Sequence, residues 1–304
     1  MKRPCLLVHC SQLVAYCLLL LSSTTVFAQA PASTPRDYIV NHMFWGNVVL
    51  AGKIKGKFDY QVDLEYRTQA DPNHSADSNT TVGSDHYNIF KHPYQYAIRP
   101  WIHYQPNKTL RFSISPLTWF GSWQYPVNGV TYYQPEYRTA GQVTVYNALG
   151  RVLLDHRYRF EYRWFGLKKA TDNPDNPTGP AETYDFLAAN EKMRFRYRLR
   201  ANILLNSKAM EVGTIYIMCS SEIFLQLGTN VANTNVFDQN RCYLGLGYKL
   251  SPLLRTEVGF FNQLAFRFNN KAKNNVDVNN AIFVNLIFDD FNRLFKKKEK
   301  VITP

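Results

Sequence analysis

Arg194, Arg196, Arg198 and Arg200 occupy every second position of one segment, so an extended chain there would put four guanidinium groups on a single face. Arg157, Arg159 and Arg163 repeat the pattern around Glu161, and Arg241 sits in a third alternating segment. A face of this kind beside a water-filled path between low-dielectric walls concentrates a positive field and attracts anions. The full ionic set expected on inward faces is Asp59, Asp63, Glu65, Arg67, Arg99, Arg111, Glu136, Arg138, Arg157, Arg159, Glu161, Arg163, Arg194, Arg196, Arg198, Arg200, Arg241, Arg255 and Glu257. The same residues have a purely structural use, because arginines and carboxylates on adjacent strands pair and fill a closed interior.

Other chemistry is less well marked. Acyl or hydrolytic catalysis needs a nucleophile, a base and a group that orients the base. His42, His103 and His156 are candidate bases and Ser113, Ser115, Ser220 and Ser221 candidate hydroxyls, but no spacing links them in a motif, so no catalytic residue is assigned. His74, Asp77, Asp85, His86 and His92 gather in or beside one long loop and could hold a metal through imidazole and carboxylate. Their irregular spacing reads as an ordinary solvated loop, so neither a metal nor a cofactor is expected. Tyrosine and arginine interleave as on single-strand nucleic-acid surfaces, but the export signal described below removes that partner.

The elements that would carry these faces are strands. From residue 38 onward, segments with period-two alternation are separated by Gly, Pro, Asn and Asp clusters. Eleven strands are predicted, near 38–52, 57–68, 93–105, 109–120, 135–147, 151–165, 191–206, 209–227, 239–250, 253–266 and 277–289. Most exceed the five to six residues usual in soluble sheets and reach the ~9–11 needed to cross a bilayer. Short connections (53–56, 106–108, 148–150, 207–208, 251–252) alternate with long polar ones (69–92, 121–134, 166–190, 228–238, 267–276). That segregation predicts an all-β fold: a single antiparallel transmembrane β-barrel of 10–12 strands, with short periplasmic turns and long outer loops. The 166–190 loop is expected to be the mobile one. Trp101, Trp119, Trp123 and Trp164, with many tyrosines, are expected in belts at the two membrane interfaces. An odd strand count conflicts with a start in the periplasm, so either a strand is missing from the prediction or residues 29–40 thread through or along the barrel.

Composition agrees. Of 304 residues, 45% are hydrophobic, 15% aromatic and 19% charged, which excludes disorder as the main state. Lys2 and Arg3, the apolar run Leu13–Leu21 and Val26-Phe27-Ala28 read as a signal peptide over 1–28; cleavage after Ala30 also fits, but would leave Pro31 next to the cut. Tyr16 stands where a lipidated Cys17 would need a small residue, against a lipoprotein. Removing 1–28 takes Lys+Arg from 35 to 33 against 23 Asp+Glu, a net charge of +10, which suits anionic contents or partners. Only Cys219 and Cys242 remain, and they are expected as unbridged, buried thiols. The barrel domain is assigned to 29–289 and a polar, basic tail carrying Lys296–Lys298 to 290–304, on the periplasmic side.

The stretches His156–Arg163 (HRYRFEYR), Asp238–Lys249 (DQNRCYLGLGYK) and Glu257–Gln263 (EVGFFNQ), with the Trp45 strand and Ile114-Ser115-Pro116-Leu117, resemble the exported bacterial family catalogued as domain of unknown function 2490. The likeness runs over roughly residues 40–289. It implies an outer-membrane β-barrel of unassigned activity and adds no mechanism. The expectation is therefore a barrel in the bacterial outer membrane, narrow or plugged, with an arginine-rich lumen that is structural or weakly anion-preferring. Alternatives of other classes are an envelope binding or assembly component and a lipid-modifying enzyme. Its expected partners are outer-membrane lipid and, in addition, small anions or other envelope proteins.

Overall fold

A computed structural model of the chain describes residues 38–70, 87–124, 132–168, 184–186, 191–228, 236–266 and 276–295. The signal segment 1–28, residues 29–37, the loop histidines and aspartates from His74 to His86, most of the 166–190 loop and the tail beyond 295 lie outside the described residues.

Alternation dictates the architecture. β1 (Tyr38–Lys55), β2 (Phe58–Gln69), β3 (His92–Tyr104), β4 (Leu110–Gln124), β5 (Tyr132–Leu149) and β6 (Val152–Phe165) run up and down in sequence. The two-residue strands β7 (Leu167–Lys168) and β8 (Tyr184–Asp185) pair with each other as a separate ribbon. β9 (Glu191–Leu204), β10 (Ile215–Leu227), β11 (Phe237–Lys249), β12 (Leu254–Phe266) and β13 (Val276–Phe288) complete the wall. The eleven long strands close a barrel in the order β1-β13-β12-β11-β10-β9-β6-β5-β4-β3-β2. Closure removes every long sheet edge.

The closing pair accommodates the odd strand count. With an odd number of strands the first and last run in the same direction, and β1 pairs with β13 in parallel from Tyr38↔Val276 to Leu50↔Phe288. No missing strand is needed, and the barrel is antiparallel everywhere except at this seam. β1 therefore begins at the end that carries the long connections, and β13 finishes at the end with the short ones. There a 3-10 turn, Phe291–Leu294, is tied back by Tyr60 donating to Asn292 Oδ1 (2.6 Å) and Asn292 Nδ2 donating to the Lys53 carbonyl (2.7 Å).

Local departures have local causes. Gly56 (φ 57°) lies in the tight β1–β2 turn, where a positive φ matches the twist of the flanking strands. The β3–β4 ladder is interrupted between Ile98 and Ile102, and the β4–β5 ladder between Ser115 and Thr118. Pro100 and Pro116 sit at these breaks and have no N–H to donate. The β9–β10 connection was expected to turn at 207–208; instead it spans 205–214. Asn206 organises it, donating to the Gly213 carbonyl (2.8 Å) and accepting from the Ile215 N–H (2.8 Å), so β10 starts later than alternation alone suggests.

Met43, Trp45, Leu204, Tyr216, Met218, Phe261, Ala281 and Phe283 form an apolar cluster, with Tyr243 against it. It packs inside the barrel along β1 and β9–β13. Gly247 makes room for it: a Cβ there would lie 2.1 Å from the Tyr216 ring. Tyr216 is fully buried and its hydroxyl donates to Glu257 (2.8 Å). Gly247→Val should push the ring off that carboxylate and destabilise the barrel by about 1–3 kcal/mol, the usual cost of overpacking. A urea midpoint unchanged from the parent would contradict this placement of Tyr216.

Candidate functional site

Because successive side chains alternate between faces, the inward positions of all eleven strands converge on the interior. A cavity of about 830 Å³ lies there, and thirteen arginines line it against seven carboxylates. All eight arginines singled out from the sequence, Arg157, Arg159, Arg163, Arg194, Arg196, Arg198, Arg200 and Arg241, are among them.

Most of these arginines are neutralised in place. Glu161, 2% exposed, is the hub: it receives Arg194 (2.6 Å), Arg196 (2.5 Å) and, more distantly, Arg159 (3.5 Å) and Arg138 (4.0 Å). Glu222 takes Arg157 (2.6 Å) and the second edge of Arg196 (2.9 Å). Glu136 holds Arg163 (2.6 Å) and Arg138, and Glu65 holds Arg67 (2.5 Å) and Arg99 (3.2 Å). Asp155 takes Arg198 (2.7 Å) and Asp238 takes Arg194 (3.1 Å). Arg255 bonds Asp289 (3.1 Å).

Several contacts join strands that are not neighbours and so act as chords across the interior. Arg200 on β9 reaches Glu257 on β12. Arg159 on β6 lies over the Trp101 ring on β3 (4.6 Å), and Arg241 on β11 lies near the Trp45 ring on β1 (5.1 Å). These side chains reach across the interior from one part of the wall to another.

Arg241 differs from the rest. Each of the other cavity arginines has a carboxylate within 4.0 Å. Arg241 has none among the described residues; it donates to Gln239 Oε1 (3.1 Å), rests 4.6 Å from the Phe224 ring, and its Nε makes no hydrogen bond. Glu222 lies opposite it in register, but that carboxylate is already clamped by Arg157 and Arg196. Arg241 therefore leaves uncompensated charge on the cavity wall.

Four acids of this network were absent from the expected set; one of them, Asp289, lies just past the end of β13. Asp155 and Glu222 were visible in phase with Arg157 and with Ser220 and Phe224, and simple alternation would have found them. Asp238 was not, because a register shift between Phe224 and Leu225 makes it an extra residue and turns it inward beside Gln239.

Of the candidate bases and hydroxyls, one pair is brought together. His103 Nδ1 and Ser113 Oγ are 2.8 Å apart across the β3–β4 hairpin. The other ring nitrogen has no hydrogen-bond partner, and Asp59, opposite His103 on β2, is engaged with Lys53 (2.6 Å) and Arg111 (3.9 Å). Among the described residues no group orients this pair as a catalytic set would need. Ser115 pairs with Thr118 (2.8 Å). His156 and Tyr197, 3.0 Å apart, meet on the outer face, where His42 lies against the Tyr87 ring (5.7 Å). Ser220 lines the cavity, while Ser221 faces outward. The remaining imidazole and carboxylates suggested for a metal lie outside the described residues, apart from His92. Neither Cys219 nor Cys242 is bridged; both are half-buried on the outer face and not in the interior.

Comparison with known proteins adds the family. The model of a protein of unknown function, DUF2490, matches residues 42–275. The chain belongs to the DUF2490 family. No curated protein and no solved structure matches it. The family carries no assigned activity, so any functional reading rests on the barrel interior.

Proposed function

We propose that this DUF2490 barrel is exported by its 1–28 signal and inserted in a bacterial outer membrane, with its short turns in the periplasm, where it forms a narrow, constricted pore that prefers anions. The observation that carries the reading is the imbalance around the cavity, thirteen arginines to seven carboxylates on the wall and three more (Asp59, Glu161 and Asp238) packed behind it, with Arg241 unneutralised. The exterior supports insertion: Ile98, Ile114, Leu244, Leu246, Val258, Phe260 and Ile282 all point outward and are half or more exposed, or nearly so. Water would penalise such a surface, and hydrocarbon would not. Among the described residues no helix is long and apolar enough to cross a membrane, so crossing falls to the strands. The chords across the interior keep the path narrow. Ions and small solutes would pass between paired side chains whose net field favours negative charge.

Liposome swelling tests this. Vesicles carrying the refolded protein should admit small anionic solutes faster than cationic solutes of the same size, and admit large neutral sugars at the background rate. Equal rates for both charges would contradict an anion-preferring lumen.

A further inference from the structure

The outer wall is largely apolar and aromatic, with isolated polar residues such as His156, and one polar row runs on from strand to strand. In register across five adjacent strands stand Ser221 (β10), Cys242 (β11), Asn262 (β12), Asn280 (β13) and His42 (β1). Around Asn262 and Asn280 the flanking outward residues are apolar: Leu264 and Val278 toward the long connections, Phe260 and Ile282 toward the short ones. On β11, Leu244 lies on the short side and Asn240, bonded to Ser221 and Cys242, on the long side. On β11 the row falls five residues from Phe237 and six from Tyr248. With an axial rise of roughly 2.5 Å per residue in a tilted strand, these two aromatics are about 28 Å apart, the height of the apolar band of a membrane barrel. Phe237 meets Phe266 of β12 at 5.3 Å, as a ring of girdle aromatics would. The polar row thus crosses the middle of the band.

Asn262 and Asn280 make this placement informative. Asn262 Nδ2 donates to Asn280 Oδ1 (2.8 Å), and neither side chain makes another hydrogen bond among the described residues. One amide oxygen and one amide NH₂ are left pointing outward, and exchanging the oxygen and nitrogen of both side chains leaves the same remainder. Hydrocarbon offers no partner to either group. A second copy related by a two-fold axis offers both: the donor of each chain meets the acceptor of the other, as an isologous contact requires. Polar side chains that meet in this way hold membrane segments together.

We propose that the β10–β13–β1 wall is the contact surface for a second copy of this chain, centred on Asn262 and Asn280. The inference rests on the membrane reading above, since in water the row would need no partner.

The test uses residues 29–304 reconstituted in vesicles at high lipid excess, in a Cys219→Ser/Cys242→Ser background. Oxidation with a lipid-permeant copper complex should trap a dimer when the added change is Asn262→Cys. It should trap none when it is Tyr158→Cys, which is outward on the far wall. In the parent, Asn262→Leu/Asn280→Leu should shift chemically trapped dimer to monomer at least fivefold while leaving the heat-modifiable, folded gel band intact. A floated, folded protein that stays monomeric, or that cross-links equally from Tyr158→Cys, would overturn the contact and leave the membrane reading standing. Folded protein that does not float with the vesicles would overturn the membrane reading and the contact with it.

Discussion

Glu161→Gln should destabilise the barrel by about 3–5 kcal/mol, the usual cost of removing one partner from a buried ion pair. The substitution keeps the side-chain shape and removes only the charge, so the loss reports electrostatics and not a cavity. Arg194, Arg196, Arg159 and Arg138 converge on this one carboxylate at 2.5–4.0 Å. Three of them have a second acid to fall back on: Asp238 for Arg194, Glu222 for Arg196 and Glu136 for Arg138. Arg159 would keep only Gln142, which it reaches at 2.9 Å. Arg293→Ala, which breaks an exposed pair with Asp290, should by contrast cost ~0–1 kcal/mol. Urea unfolding of the vesicle-inserted protein, followed by tryptophan fluorescence, measures both. A Glu161→Gln midpoint as close to the parent as that of Arg293→Ala would show that the network does not hold the wall together.

Arg241→Glu should abolish or reverse the anion preference without comparable loss of stability. No carboxylate forms an ion pair with Arg241 among the described residues, so its removal breaks none. A glutamate there lies opposite Glu222, which Arg157 and Arg196 already clamp, and near Arg67, whose guanidinium stacks 3.5 Å over the same Trp45 ring. A unit charge about 8 Å from an ion path at an effective dielectric constant of about 40 contributes about 1 kcal/mol, or roughly fivefold in relative permeability. Going from +1 to −1 doubles that, to roughly twenty-five-fold. Arg196 is a poorer choice for this purpose, since reversing it would set three carboxylates together at Glu161 and Glu222 and confound selectivity with unfolding. The readout is the permeability ratio of chloride to potassium, and a ratio that moves less than twofold would remove Arg241 from the ion path.

The strands and most of the faces they present were legible because barrel alternation is a one-residue rule: which side Arg194 or Arg198 faces follows from its phase in β9. Trp101, expected in an interface belt, instead lies inside, in phase with Arg99 and His103, and donates to Asp63. All eleven strands lie within a few residues of where alternation puts them, apart from the start of β10, which Asn206 delays. What depends on pairing between strands was not legible. Whether Arg241 finds an acid depends on Glu222 being engaged by Arg157 and Arg196 from other strands, a fact of three dimensions. The inward turn of Asp238 depends on a register shift that leaves no mark in the local pattern. The His103–Ser113 contact lies between these cases. The two residues are equidistant from Lys108, so they face each other once the hairpin is centred there, yet no motif spacing reveals them. The outward polar row was hidden for the same reason: Ser221, Cys242, Asn262, Asn280 and His42 are far apart in sequence and aligned only by register.

The central claim is that the cavity's excess of arginine acts on ions that pass through it. The most direct measurement is the reversal potential of single refolded barrels in a planar bilayer under a potassium chloride gradient. The structure predicts small, discrete conductance steps, set by the Arg200–Glu257 and Arg159–Trp101 chords, with a reversal potential on the chloride side of zero. A reversal potential on the potassium side, or inserted barrels that conduct nothing, would contradict it and reduce the thirteen arginines to packing.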